Sequence, residues 1–149
     1  MDLNWEGAAV NAEIEQRLKG AVAEIALRIE AKAKTKLQPS QQVKGRFVKG
    51  GGRGLRTGTL RRSIHADKPS GNFGSDNVAA GAGTPERGGQ EPTPERDGTR
   101  LMAAVGSGLG YAMYVHQGHY NPEVQGFITR SAEEVMPQAL SIVRRHVAG

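Results

Sequence analysis

LMAAVGSGLGYAMYVHQG, residues 101–118, opens with Leu101, Ala103 and Val105 alternating with Met102, Ala104 and Gly106, a small-residue run with the period of a strand. Gly106, Gly108 and Gly110 then predict a break in regular structure, since glycine is entropically costly inside an element and free to turn. Tyr111, Met113, Tyr114 and Val115 predict one or two helical turns, stopped by Gly118 as a left-handed C-cap. The unit holds two of the chain's three tyrosines, so it is expected at the centre of the fold. It is not read as a dinucleotide site. That fingerprint needs a third glycine at the right offset, a full crossover helix and an acidic residue about twenty positions on; here the spacing is wrong, the following helix is too short and the segment lies late in the chain.

Outward from this unit the chain offers two long helical patterns. Over residues 11–37, Ile14, Leu18, Val22, Ile25, Ile29 and Ala33 recur at steps of three and four, predicting one apolar stripe packed on a sheet, with Asn11 as N-cap. Glu13, Glu15 and Glu24 precede Lys32, Lys34 and Lys36, in the order the helix dipole favours. Over residues 127–147, Ile128, Ala132, Val135, Ala139, Ile142, Val143 and Val147 follow helical spacing, with a kink or restart expected at Pro137. Between the helices, residues 57–65 read as a strand, or a helical turn leading into one, with Leu60 and Ile64 inward. Residues 119–125 read as a turn punctuated by Asn121 and Pro122.

Two stretches have another character. Residues 43–62 carry seven basic residues, Lys44, Arg46, Lys49, Arg53, Arg56, Arg61 and Arg62, and no acidic one. With glycines at 50–52 and 54, this is either a solvated basic loop or an arm touching a nucleic-acid backbone or an acidic neighbour. Clustered cations suit phosphate contacts, which carry no sequence information, and Phe47 alone is too few aromatics to stack single-stranded bases. Residues 66–99 are rich in Gly, Pro, Ser, Ala and charge, with the near-repeat TPER at 84–87 and 93–96 and only Phe73 and Val78 as large apolar residues. They are read as an extended excursion between two strands, ordered against partners.

The composition gives one domain over residues 1–149, including the basic loop at 43–56 and the excursion. The 149 residues hold no cysteine, which excludes disulfides and thiolate metal sites. Residues 1–10 lack a basic start and an apolar run, and no stretch approaches a membrane span, so neither a signal peptide nor a membrane partner is expected. The net charge of +5 is compatible with a polyanionic partner. His116 and His119, near Glu123, are the nearest thing to a metal cluster, but Gly118 interrupts any shared helix face and no zinc pattern with a glutamate base is present. No nucleophile, base and carboxylate stand in a catalytic order. The reading is therefore a non-enzyme with no cofactor, no metal and no catalytic residue.

Three motifs in order carry a resemblance. They are Thr57-Gly58-Thr59-Leu60-Arg61-Arg62-Ser63-Ile64; Val105-Gly106-Ser107 followed by Tyr111-Ala112-Met113-Tyr114-Val115 and Gly118; and Phe127-Ile128-Thr129-Arg130-Ser131-Ala132, opening the last helix. Preceded by a long amphipathic helix, this order resembles the tail-completion, or neck, proteins of long-tailed bacteriophages, the gene-product-ten-like morphogenesis family. The departures are His116 where the family tends to have glutamate, His119 where it has threonine, and Gly126 where proline precedes the phenylalanine. The resemblance implies an α+β fold, with N- and C-terminal helices packed on a small, mostly antiparallel sheet and a long Gly/Pro-rich excursion between strands. It implies a structural virion protein, made in the host cytoplasm, that forms a homo-oligomeric ring at the head–tail junction or the top of the tail. A hexamer is favoured over a dodecamer. The partners implied are other neck proteins, a tail terminator or tail-tube protein, and packaged DNA held non-specifically. The alternative from another class is a sequence-independent nucleic-acid-binding module, which accounts for the basic loop but not for the tyrosine–glycine unit.

Overall fold

Helix α1, Gly7–Lys36, starts well ahead of Asn11. Asn11 is therefore an exposed interior residue and not a cap, because Ala8, Ala9 and Ala12 carry the helix past it at little cost. The computed structural model describes residues 7–37, 42–43, 46–47, 59–67, 100–119 and 122–149. Along α1, Glu13 pairs with Arg17 at 2.6 Å, Glu15 with Lys19 at 2.6 Å and Glu24 with Arg28 at 2.8 Å, each one helical turn apart. Pairs of this kind contribute a few tenths of a kcal/mol each (about 0.2–0.5) and support a helix of modest apolar content.

The remaining elements, in order, are strands β1 (Gln42–Val43) and β2 (Arg46–Phe47), helix α2 (Thr59–Ser63), strands β3 (His65–Asp67) and β4 (Ala104–Gly106), helix α3 (Ala112–His116), a 3-10 turn (Pro122–Val124) and helix α4 (Phe127–Ala148). β3 and β4 pair antiparallel, with His65 opposite Gly106, Ala66 opposite Val105 and Asp67 opposite Ala104. β1 and β2 form a separate antiparallel pair. The architecture is α+β, with the two long helices packed against the small sheet. The excursion expected over residues 66–99 lies outside the described residues beyond Asp67.

The main partner of α1 is α4, not the sheet. The two run antiparallel: Arg17 Nη1 donates to the Val147 carbonyl at 2.8 Å, Arg28 Nη1 to Gln138 Oε1 at 2.9 Å, and Lys32 Nζ to Glu134 Oε2 at 3.0 Å. Gly20 of α1 faces the ring of His146 on α4. A Cβ at that position would stand 3.1 Å from His146 Nδ1, tighter than ordinary van der Waals contact. Small residues of α1, Ala21, Ala26 and Ala33, are buried, whereas Leu18, Val22, Ile25 and Ile29 are half-buried and Ile14 is exposed. The apolar stripe exists, but of its members only Ala33 is fully buried.

Other expectations change in detail. β4 spans only Ala104–Gly106, so Leu101 and Ala103 precede the strand and Gly106 sits inside it. Residues 59–67 take the helix-then-strand form, and Leu60 and Ile64, one turn apart, are both fully buried. α4 runs through Pro137 as one helix, without a restart. Pro137 is exposed, so the carbonyl a turn earlier that loses its partner can turn to water.

The core gathers Ala33 and Leu37 with Leu60, Ile64, Leu109, Val115, Val124 and Phe127, flanked by Val105, Tyr111, Ala112 and Ile128. The glycine–tyrosine unit thus meets the centre of the fold through Leu109 and Val115. Its tyrosines do not: Tyr111 is half-buried and Tyr114 is 55% exposed beside Met113 at 61%.

Gly118 ends α3 with φ +84°, in the left-handed region. A Cβ there would lie 3.1 Å from Gln125 Cβ. Gly118→Val combines backbone strain with this contact and is expected to lower stability by about 1–2 kcal/mol or more. Urea titration of the two proteins checks it, and coincident midpoints would refute the helix-stop role.

Candidate interaction surface

Residues from each of the three motifs that carried the resemblance meet in one place. Leu60 and Ile64 from the first motif, Val105, Tyr111, Ala112 and Val115 from the second and Phe127 from the third all belong to, or pack on, the same core. Ser63 and Ser107 join the first two motifs directly. Ser63 Oγ donates to the Leu60 carbonyl at 2.7 Å and lies 2.6 Å from Ser107 Oγ, which in turn accepts the Leu109 N–H at 3.2 Å. Buried hydroxyls are stable only when bonded, and each of these has its partner. Sequence reasoning quoted both serines but did not foresee their contact. The signal was a serine beside the strand end in each motif.

The α2–β3 corner is fixed from several sides. The His65 Nδ1–H donates to the Ser63 carbonyl at 2.9 Å, and the Ala66 N–H donates to Glu30 Oε2 at 3.0 Å, tying β3 to α1. With Leu60 and Ile64 turned inward, Arg61 and Arg62 are turned outward. Both are exposed, and neither makes an ion pair among the described residues. They form the described end of the basic segment. Lys44, Lys49, Arg53, Arg56, Thr57 and Gly58 lie outside the described residues, and Arg46 is described only through the backbone of β2.

Two departures from the neck pattern have a structural expression. Gly126 precedes α4 with φ +65°, a value that proline, fixed near −65°, cannot adopt. The entry to this helix is therefore built differently from a proline entry. His116 closes α3 against the start of α4: its carbonyl accepts the Gly126 N–H at 2.7 Å, its Nε2 is 3.2 Å from Thr129 Oγ1, and its ring stands edge-on to Phe127 at 5.2 Å. His119 turns elsewhere, with Nε2 3.1 Å from Gln117 Oε1. The two histidines do not share a ligand site, and no group of potential metal ligands occurs among the described residues.

Burial pushes the His116 pKa below the ordinary imidazole value. The geometry agrees, because its Nδ1 is buried without a hydrogen-bond partner among the described residues, and protonation would leave an N–H there with no acceptor. Between the depressed folded value and the unfolded one the unfolded chain binds more protons. This group's stability contribution is thus complete above about pH 6.5 and is lost as pH falls through the folded value. On acidification from about pH 7.5 to about 5.5, His116→Gln is expected to lose less melting temperature than the wild type. Equal losses would show that His116 titrates as freely as an exposed histidine.

Charges lock the long helices together. Glu134 is held by Lys32 and Lys36, and its pKa is lowered to about 2 by the hydrogen bonds from Lys36 and then Lys32. Glu24 accepts from Arg145, His146 and Arg28 and is likewise lowered to about 2, chiefly by Arg145. Depressed carboxylates stabilise the fold above their unfolded values, and that contribution fades as pH drops from about 4.5 toward 2.

Compared with known proteins, the chain matches no family model, no curated protein and no solved structure. Among the described residues no helix is long and apolar enough to cross a membrane.

Proposed function

We propose that this chain is a structural subunit of a tailed-bacteriophage virion, assembling as a ring at the neck or the top of the tail and completing the tail around the DNA channel. The observation that supports this reading is the meeting of the three resemblance motifs in one core, with the Ser63–Ser107 hydroxyl contact at their junction. The same packing leaves Arg61 and Arg62 outward on the rim of that core, where a basic segment repeated around a ring faces either the channel or the next subunit. Such a subunit needs no catalytic group, and none is assigned.

A joining assay tests the proposal. Phage heads and tails prepared without this subunit are mixed with the purified protein, and joined, infectious particles are expected to appear in proportion to the protein added. Failure to restore joining, together with tight duplex binding by the free monomer, would move the assignment to a nucleic-acid-binding module.

A further inference from the structure

The outer face of α4 carries Met136, Leu140, Val143 and Val147 at steps of four, three and four, which places them in one stripe. Met136 is 58% exposed, Leu140 60% and Val147 40%, and no described residue covers them. Two adjacent pairs of like charge flank the stripe. In each pair the second residue is spent on α1: Glu134 on Lys32 and Lys36, and Arg145 on Glu24. The first residues, Glu133 and Arg144, are exposed and make no ion pair among the described residues. They stand about three helical turns (~16 Å) apart along the solvent edge of the stripe, acid at the N-terminal end and base at the C-terminal end.

This arrangement is self-complementary. A second copy related by a twofold axis beside Leu140 runs its α4 antiparallel to the first. Met136 then falls against Val143 of the second copy, and Leu140 against its neighbourhood on that copy. Glu133 comes within a turn of Arg144 at both ends, close enough for long side chains to bridge. A single α4 has no use for an unpaired acid and base at the two ends of a bare apolar stripe, whereas an isologous pair uses both twice. We propose that the occupant of this face is a second copy of the chain, docked α4 to α4 about a twofold axis. The contact pairs two copies and closes, so it is separate from any contact that builds a ring, and it does not rest on the ring reading.

Light scattering coupled to size exclusion tests it at micromolar concentration on the full chain. The wild type is expected to elute at twice the mass of Leu140→Glu, two chains against one of 15.9 kDa or, where rings have formed, two rings against one, and the variant is expected to keep an unchanged far-ultraviolet spectrum. Leu140 is exposed, so this variant probes docking and not folding. Glu133→Arg and Arg144→Glu alone each set like charges together and are expected to weaken the dimer by about tenfold. The double charge exchange restores opposite charges and is expected to recover wild-type affinity. A wild-type monomer, a dimer indifferent to Leu140→Glu, a double exchange no better than its singles, or a larger particle built through this face would each overturn the twofold pairing.

Discussion

Phe127→Ala is expected to remove about 3–5 kcal/mol of stability, the range for deleting a fully buried aromatic side chain. Phe127 is the largest side chain with no exposed surface, and it is where the three motifs meet. It shares one core cluster with Leu60, Ile64, Leu109, Val115 and Val124, and its ring receives His116 edge-on at 5.2 Å. Truncation leaves a cavity among residues from four separate elements, which cannot collapse without moving α2, α3 and α4 together. Since small domains have only about 5–15 kcal/mol in total, the variant is expected to be partly unfolded at growth temperature. Phe127→Leu keeps most of the volume and is expected to cost under about 2 kcal/mol. Urea titration of both separates the two cases. A loss below about 1 kcal/mol for the alanine variant would show that the core is not built on this ring.

What the sequence made legible, and what it did not, follows from the physics of each signal. Periodicity revealed both long helices, and the spacing of Leu60 and Ile64 fixed which way α2 faces, which in turn sends Arg61 and Arg62 outward. Periodicity did not reveal the partner of α1. The stripe of Ile14, Leu18, Val22, Ile25 and Ile29 marks where apolar area is, while the residues of α1 that end up buried are the small ones, Ala21, Ala26 and Ala33. Charge was legible only in part, for a related reason. Lys32 and Lys36 fit the helix dipole, but they also reach Glu134 across the seam, and sequence separation hides that pairing. β4 begins later than its alternation implied because strand length is set by the partner as well as by the pattern, and the register opens with Ala104 opposite Asp67. The basic segment was legible as charge only. Beyond Arg61 and Arg62, the described structure does not extend to its side chains.

The second large effect concerns that segment. Lys44, Arg46, Lys49, Arg53 and Arg56, followed by Arg61 and Arg62, have no acidic residue among them in the chain. Repeated around a ring they sum to a positive collar, which would hold duplex DNA by its phosphates without reading bases. A collar that neutralises on the order of six to ten phosphates loses about a thousand- to a hundred-thousand-fold in affinity between roughly 50 and 200 mM salt. Assembled protein is therefore expected to retard any duplex at low salt, with retention gone at the upper end of that range, and free monomer to bind far more weakly. The triple change Arg46→Ser, Lys49→Ser and Arg53→Ser is expected to abolish retention while leaving the ring intact. Should the triple variant hold DNA as before and fail to assemble, the segment is an inter-subunit contact and the channel assignment is wrong.

The central claim, that this chain is a ring subunit, meets its most direct test in negative-stain imaging of the purified protein combined with native mass measurement. The account predicts closed rings of one size, with a mass that is a whole multiple of the 15.9 kDa chain, six being favoured, and a central opening wide enough for a duplex. Particles that remain single chains or pairs at every concentration, and that bind duplex DNA tightly in that form, would contradict it.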